Sequence, residues 1–297
     1  MDVMKKILVT GANKGIGLGI VRRLLASFSD TFVYLGCRDT EKGVFAKDSL
    51  VKECADWVER LCVLEIDVVD EESIGLAASK ICKYHSEDNS LLYGIVNNAG
   101  IARSDDGVVP ILEVNTFGPK RVFDEFFALL NPIKGRIVNV TSASGPNYLS
   151  HCDRHIRKKL TSRNVTWDEI VELVDNFVND YEEASSEEKE RLYSHVYGFS
   201  KACTNALTIS LAGTHSNLII NSCTPGFIET DLTQPYLVER GMTPKEMGMK
   251  TPIEGAASSV HLLMEENIGS GFYFGSDCVR SPLDRYRSPG DPPYQGD

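Results

Sequence analysis

Tyr197 and Lys201 stand four residues apart in the pentad Tyr197-Gly198-Phe199-Ser200-Lys201. On a helix this spacing puts both side chains on one face, where an ammonium beside a phenol favours the ionised form and makes an acid/base pair. Such a pair arises often by chance, so its meaning depends on its neighbours. Two lie upstream, Thr10-Gly11-Ala12-Asn13-Lys14-Gly15-Ile16-Gly17 and Asn97-Asn98-Ala99-Gly100. The glycines at 11, 15 and 17 follow a predicted strand and open a predicted helix. Backbone can then approach a pyrophosphate closely while helix N-terminal N–H groups point at it. The spacing is G-x-x-x-G-x-G, not the commoner G-x-G-x-x-G, and a purely structural tight turn is the alternative.

The end of the second predicted strand, Leu35-Gly36-Cys37-Arg38-Asp39, bears on the choice of dinucleotide. An acidic residue there binds a ribose 2′-hydroxyl, whereas a basic one accepts a 2′-phosphate. Arg38, with Lys14 approaching from the glycine turn, brings two cations to one dianion and points to NADPH/NADP+. An exposed pairing of Arg38 with Asp39 or another carboxylate is the other reading. Asp67-Val68, after the third strand, either meets an adenine ring or supplies the cap of the next helix.

Elements able to position these residues recur along the chain. Short aliphatic runs fall at Ile7 to Thr10, Thr31 to Gly36, Leu61 to Asp67, Leu92 to Asn97, Arg136 to Val140, Leu218 to Cys223 and Gly271 to Phe274. Helical stretches separate them, and Ile16, Ile20, Val21, Leu24 and Leu25 give the first helix one apolar face. This rhythm predicts an α/β fold, a doubly wound parallel sheet of about seven strands in one domain spanning 1–297. Residues about 146–195 break it. Thr166-Trp167-Asp168-Glu169 reads as a capping box, followed by Ile170, Leu173, Val174, Phe177, Val178 and Tyr181 at helical spacing, so a helical insertion is expected. The acidic run from Glu182 to Glu190 reads as a solvated face or loop, with no metal site. The tail from about 281 to 297, rich in Pro, Gly, Asp and Arg, reads as irregular.

The chain has 297 residues and a net charge of -11, which offers no broad footprint for nucleic acid or an anionic membrane. No stretch is long and apolar enough to span a bilayer. Eight cysteines without a C-x-x-C pair suggest a reducing cytosol, and the Asn139 and Asn164 glycosylation patterns read as chance matches.

The glycine turn, Asn97-Asn98-Ala99-Gly100 after the fourth strand, Ser142 after the fifth, and Tyr197/Lys201 occur in the order of the short-chain dehydrogenase/reductase family, which the chain resembles over nearly its whole length. The Rossmann-type fold of that family is the one predicted above. The turn, Cys37-Arg38-Asp39 and the long insertion resemble the carbonyl reductase branch, which includes plant reductases of menthone and alkaloid ketones. The resemblance implies reduction of an aldehyde, ketone or quinone with NADPH, Tyr197 giving the proton and Ser142 holding the substrate oxygen. Lys201 would lower the tyrosine pKa and bond the nicotinamide ribose. Asn13, Ile16, Asn98, Ala99 and Gly100 would line the cofactor. In Thr224-Pro225-Gly226-Phe227-Ile228-Glu229-Thr230, the family's P-G segment, Ile228 and Thr230 would meet the carboxamide.

Asn115 matches the family's helix-interrupting asparagine, which supports a water in the proton path to Lys201; an ordinary helix-end residue is the alternative. Fourteen residues separate Gly100 from Asn115, fewer than the branch leads one to expect, so the loop beside the substrate is expected to be trimmed. Ser144 reads as structural or as pocket lining. Asp231 to about Met249 would form a lid, with Tyr236, Leu237 and Met242 supplying apolar contacts or core packing. His195 reads as surface or structural, and Cys223 as a buried apolar residue. The insertion covers the face on which relatives associate, so a monomer is expected. A dedicated terpenoid, pterin or alkaloid ketone reductase is the nearest rival, and a non-catalytic NADP(H)-binding sensor a more distant one.

Overall fold

The computed structural model describes residues 4–84 and 92–296. In chain order its elements are β1 (Lys5–Val9), α1 (Gly15–Ser27), β2 (Thr31–Cys37), α2 (Thr40–Glu53), β3 (Leu61–Glu65), α3 (Glu71–Tyr84), β4 (Gly94–Asn97), α4 (Val109–Leu112) and α5 (Gly118–Phe126). There follow β5 (Arg136–Val140), α6 (Ser144–His151), α7 (Arg154–Leu160), α8 (Trp167–Glu183), α9 (Ser186–Thr214), β6 (Ile219–Cys223), α10 (Gln234–Arg240), α11 (Pro252–Gly255), α12 (Ala257–Met264), β7 (Tyr273–Phe274) and β8 (Arg280–Ser281).

The strands form one sheet in the order β3-β2-β1-β4-β5-β6-β7-β8. Neighbours from β3 to β7 run parallel, and β8 returns antiparallel to β7. The eighth strand exceeds the seven expected because two residues are too few to leave an alternating pattern. Strand period assigns side chains to two cores: Leu8, Tyr34, Ile95 and Ile137 pack on one face, and Ile7, Val9, Val33, Leu35, Val96 and Val138 on the other. With helices over both faces, the strand order reverses between β1 and β4. Ligands of such sheets bind beyond the strand C-termini at that reversal.

The helical insertion is present, and its last ten residues, 186–195, belong to the tyrosine helix. Thr166 with Glu169 and Ser185 with Glu188 form capping boxes that start α8 and α9. Because α9 starts at Ser186 and runs for 29 residues, most of the acidic run is helical and solvated rather than loop. Ile170, Leu173, Val174 and Phe177 of α8 are buried, and the Phe177 ring stacks on Phe199 of α9 with centroids 4.5 Å apart. Residues 282–296 carry no helix or strand and fold back on β7 and β8 through bonds from Arg287 and Tyr294.

Candidate active site

The loops after β1, β4, β5 and β6 meet at the C-terminal edge of the sheet. Gly11 and Gly15 have φ of +62° and +54°, backbone that glycine adopts without strain. A Cβ on Gly17 would collide with the Gly11 carbonyl oxygen, so the turn closes only without a side chain there. Helix α1 starts at Lys14 with no side-chain cap and no acidic residue in its first turn. Its leading N–H groups are therefore available to an anion. Asn98 holds the turn from behind, its amide donating to Thr10 O at 2.9 Å and Gly11 O at 3.1 Å. Thr10, which sequence reading passed over, accepts the backbone N–H groups of Asn98 and Ala99 on its hydroxyl, each at 3.1 Å. A hydroxyl ending a buried strand gives no signal that separates it from ordinary strand threonine.

Arg38 is exposed and makes no ion pair or hydrogen bond among the described residues. The alternative partner Asp39 is engaged elsewhere: it caps α2 through Lys42 N at 3.0 Å and pairs with the Lys42 ammonium at 2.9 Å. Lys14 differs from expectation. Its ammonium pairs with Asp231 at 2.6 Å, reaching the start of the lid region. Asp70, not Asp67, caps α3, accepting from Glu72 N at 3.0 Å. The Asp67 carboxylate accepts Val69 N at 3.2 Å, and Val68 is buried against Gly118. A glycine cradle, an uncapped helix start and an unpaired guanidinium after β2 fit a dinucleotide carrying a 2′-phosphate.

Ser142, Tyr197, Lys201 and Asn115 come together beside this cradle. Ser142, just beyond β5, lies beside the Tyr197 hydroxyl, close enough to act on its titration. Its oxygen also accepts Ser144 N at 3.1 Å and lies 3.2 Å from the Ser144 hydroxyl, so the turn-stabilising and site roles coexist. Lys201 lies on the Tyr197 side of α9, its ammonium 5.7 Å from the phenol ring centre, and donates to Val140 O at 3.1 Å. A Cβ on Gly100 would lie 3.2 Å from Asn115 Oδ1 and 3.3 Å from Lys201 Nζ, so this glycine lets the three approach.

Asn115 sits inside a helical stretch rather than at an end. The Gly118 N–H bonds the Glu113 carbonyl five residues back, a π-type turn joining α4 to α5. Its amide clamps the preceding loop, accepting Ile101 N at 2.9 Å and donating to Ile101 O at 2.8 Å. Ser200 and Thr204, not singled out from sequence, fix it to α9: Asn115 donates to the Ser200 hydroxyl at 3.0 Å and its carbonyl accepts Thr204 Oγ1 at 2.7 Å.

Burial dominates the titration of the pair. The Tyr197 phenol is pushed up to about 12 by burial; the Ser142 hydroxyl pulls it back and Tyr236 raises it further. Burial also pushes the Lys201 ammonium down to about 8. The lowering of the phenol by Lys201 that the spacing suggests is not found here: burial, Ser142 and Tyr236 set the Tyr197 shift, and burial alone sets that of Lys201.

The P-G segment closes the other side of the cleft. Gly226 has φ of +92°, Pro225 is buried, and the Thr230 methyl faces Gly15 at a distance of 3.3 Å from where its Cβ would be. The Ile228 side chain is buried against Gly255, leaving its backbone as the part that a ligand can reach; its carbonyl accepts Thr233 Oγ1 at 2.7 Å. In the lid region Leu237 packs in the interior, whereas Tyr236 and Met242 are exposed. Arg103 lies over the Tyr236 ring at 5.8 Å, joining the short loop after β4 to α10. Tyr193 ties that same loop to α9, exchanging hydrogen bonds with both backbone groups of Ser104 at 2.8 Å. His195 is exposed, and Cys223 is buried with its thiol pushed up to about 11 by burial. Asn139 is buried in β5.

A doubly wound sheet with a glycine cradle at its reversal and a serine, tyrosine and lysine beside it defines a dinucleotide-binding protein with acid/base groups at the cofactor cleft. Residues 5–152 match the family model for short chain dehydrogenase. Carbonyl reductase (NADPH) 1 of Homo sapiens is 32% identical over 270 residues, covering 86% of this chain and 90% of that protein. The Sus scrofa protein of the same name is 31% identical, covering 83% and 84%. Among solved structures, salutaridine reductase from Papaver somniferum superposes with a TM-score of 0.75 at 25% identity, over 91% of this chain and 99% of that one. Menthone neomenthol reductase from Mentha piperita shares the fold with a TM-score of 0.71 at 22% identity, over 92% and 98%. The chain belongs to the short-chain dehydrogenase/reductase family and resembles its carbonyl reductase branch.

Proposed function

We propose that this chain is an NADPH-dependent reductase of aldehydes, ketones or quinones, working as one domain. The observation that carries the reading is the convergence of Ser142, Tyr197 and Lys201 beside an uncapped glycine turn. The carbonyl reductase relatives and the free Arg38 support NADPH over NADH. Gly11, Asn13, Gly15, Ile16 and Gly17 receive the pyrophosphate, Arg38 the 2′-phosphate, and Asp67 with Val68 the adenine. Asn98, Ala99 and Gly100 form the wall beside the ribose, while Pro225, Gly226 and the Ile228 and Thr230 backbone flank the carboxamide. The bound dihydronicotinamide supplies the hydride.

Ser142 orients the substrate oxygen, and Tyr197, neutral across the physiological range because burial raises its pKa, delivers a proton to it as negative charge develops. Lys201 stabilises the phenolate that remains and bonds the ribose. Asn115, clamped by Ile101, Ser200 and Thr204, holds the backbone that hands a replacement proton toward Lys201. The α8 helix covers one face of α9, which supports a monomer. Among the described residues no helix is long and apolar enough to cross a membrane. All eight cysteines are free thiols, in keeping with a reducing cytosol.

Steady-state NADPH oxidation, with NADH in parallel, against aromatic aldehydes, diketones, ortho-quinones and cyclic terpenoid ketones tests the reading. Tyr197→Phe is expected to lower kcat by about 10³-fold, within the range for loss of a positioned general acid. NADPH binding without Tyr197-dependent turnover would overturn it. The likeness to the poppy reductase favours a dedicated biosynthetic enzyme as the second reading, which predicts kcat/KM concentrated on one cyclic ketone.

A further inference from the structure

A cavity of about 260 Å³ opens beside Ser142, and most of its wall has no role described above. Ser142 and Ser144 line it from the loop after β5, and Thr224 and Phe227 from the P-G segment. Asn147 of α6 lines it too, and part of the facing wall comes from Ser276, after β7, and from Tyr286 and Arg287 of the C-terminal tail. The tail is fastened there by one guanidinium. Arg287 Nη2 donates to both carboxylate oxygens of Asp277, one at 2.6 Å; Nη1 donates to Ser288 O at 3.1 Å and Asp291 O at 2.7 Å; Nε donates to the Ser281 hydroxyl at 3.0 Å. Asp277 further accepts Gly290 N at 3.1 Å. The Arg287 side chain is only 6% exposed.

A guanidinium has five N–H donors, and here every one is directed at the protein's own oxygens. With its charge met by Asp277, Arg287 shapes the cavity but offers nothing to a ligand anion. The Ser276 and Tyr286 hydroxyls, in contrast, make no hydrogen bond among the described residues. The lining is therefore neutral, with hydroxyl groups that can donate or accept. Its volume lies between the roughly 150 Å³ of a cavity that holds benzene and the roughly 300 Å³ at which pockets for drug-sized ligands begin. One substituted ring fits; a fused polycycle does not enter whole.

We propose that this cavity is a substrate subsite that receives an uncharged, oxygen-bearing group on a single ring, with Ser276 and Tyr286 reading the oxygen and the Asp277–Arg287 pair excluding anions. The inference rests on the reductase reading, because Ser142 is what joins the cavity to the reacting carbonyl.

The test compares three para-substituted benzaldehydes in NADPH oxidation: 4-(hydroxymethyl)-, 4-methyl- and 4-carboxybenzaldehyde. The expected order of kcat/KM is hydroxymethyl, methyl, carboxy. In Tyr286→Phe combined with Ser276→Ala, the hydroxymethyl substrate is expected to lose about threefold to tenfold more than the methyl substrate, the worth of one or two neutral hydrogen bonds. Asp277→Asn leaves the guanidinium unpaired and is expected to raise kcat/KM for the carboxy substrate. Should that variant fold poorly, the Tyr286/Ser276 variant carries the test alone. Equal values for the three substrates, or equal losses in the variant, would overturn the subsite. Ligand-detected NMR with 1,4-benzenedimethanol reads the cavity without turnover. If no aldehyde is reduced yet this diol binds and loses binding in the double variant, the reductase reading fails and the cavity is a binding site for such a group but not a substrate subsite; if it binds equally to both proteins, the subsite fails.

Discussion

The glycine turn after β1 and the C-terminal tail beside the Ser142 cavity are built by different means. The turn is made of backbone that must lack side chains: positive φ at Gly11 and Gly15, and a gap at Gly17 that a Cβ would close. The tail is held by side chains, chiefly the saturated guanidinium of Arg287 on Asp277. Backbone constraints of the first kind suit a site for the dinucleotide. Side-chain fastenings of the second kind can be exchanged without disturbing the sheet, which suits the side that meets a particular substrate.

The largest expected effect tests the first half of that contrast. In Gly17→Ala the new methyl collides with the Gly11 carbonyl oxygen and meets the Asn98 amide at 2.5 Å, so the turn must open. Overpacking of this kind costs about 1–3 kcal/mol, and since the displaced atoms frame the pyrophosphate, NADPH Kd is expected to rise more than tenfold. Gly241 is the control. It ends α10 with φ of +60°, and no described atom lies within 4 Å of the place a methyl would take, so Gly241→Ala costs only the left-handed backbone penalty, about 1 kcal/mol. Calorimetric NADPH titration together with thermal melts separates the two, and equal cofactor affinity in both variants would break the contrast.

The same contrast explains what was legible in the sequence. The glycine turn, Asn98, Tyr197 and Lys201 are short-range patterns, each fixed by one element, and the structure brings them to one cleft. The capping box marked the α8 start for the same reason. Arg38 was legible as a cation after β2, and its freedom from Asp39 emerges only once Lys42 is seen to occupy that carboxylate. Lys14 with Asp231, Tyr193 with Ser104 and Arg287 with Asp277 are chosen by tertiary approach. No period or spacing marks them, and a tail rich in Pro and Gly hides its own anchor. The limits of α9 were obscured because an acidic run is equally at home in a loop and in a solvated first turn.

A middle-sized effect concerns pH. Burial lowers the Lys201 pKa from its ordinary value to about 8, so the unfolded chain binds the proton more tightly than the folded one. Between about 8 and the ordinary lysine range near 10.4, stability from this group rises with pH, and it is absent below about 8. Activity runs the other way, since the ammonium is the form that stabilises the phenolate. With Tyr197 still protonated up to about 12, kcat/KM for reduction is expected to fall through pH 8, about tenfold per pH unit at its steepest. A pH–rate profile beside melts over the same range checks the opposition. A rate that stays flat to pH 10 would mean that Lys201 titrates elsewhere.

The smallest effect lies where the cofactor side and the substrate side communicate. Lys14 belongs to the cofactor turn but is paired with Asp231 at the lid, an exposed contact whose worth is at most about 1 kcal/mol. A dinucleotide carrying a 2′-phosphate competes with Asp231 for that ammonium, whereas one carrying a hydroxyl does not. Asp231→Ala is therefore expected to tighten NADPH about twofold to fivefold and leave NADH unchanged, and to do neither in a Lys14→Ala background. Fluorescence titration of the four proteins forms the cycle. Tightening that persists without Lys14 would place the effect in the lid itself, and the glycine turn would then be independent of the substrate side.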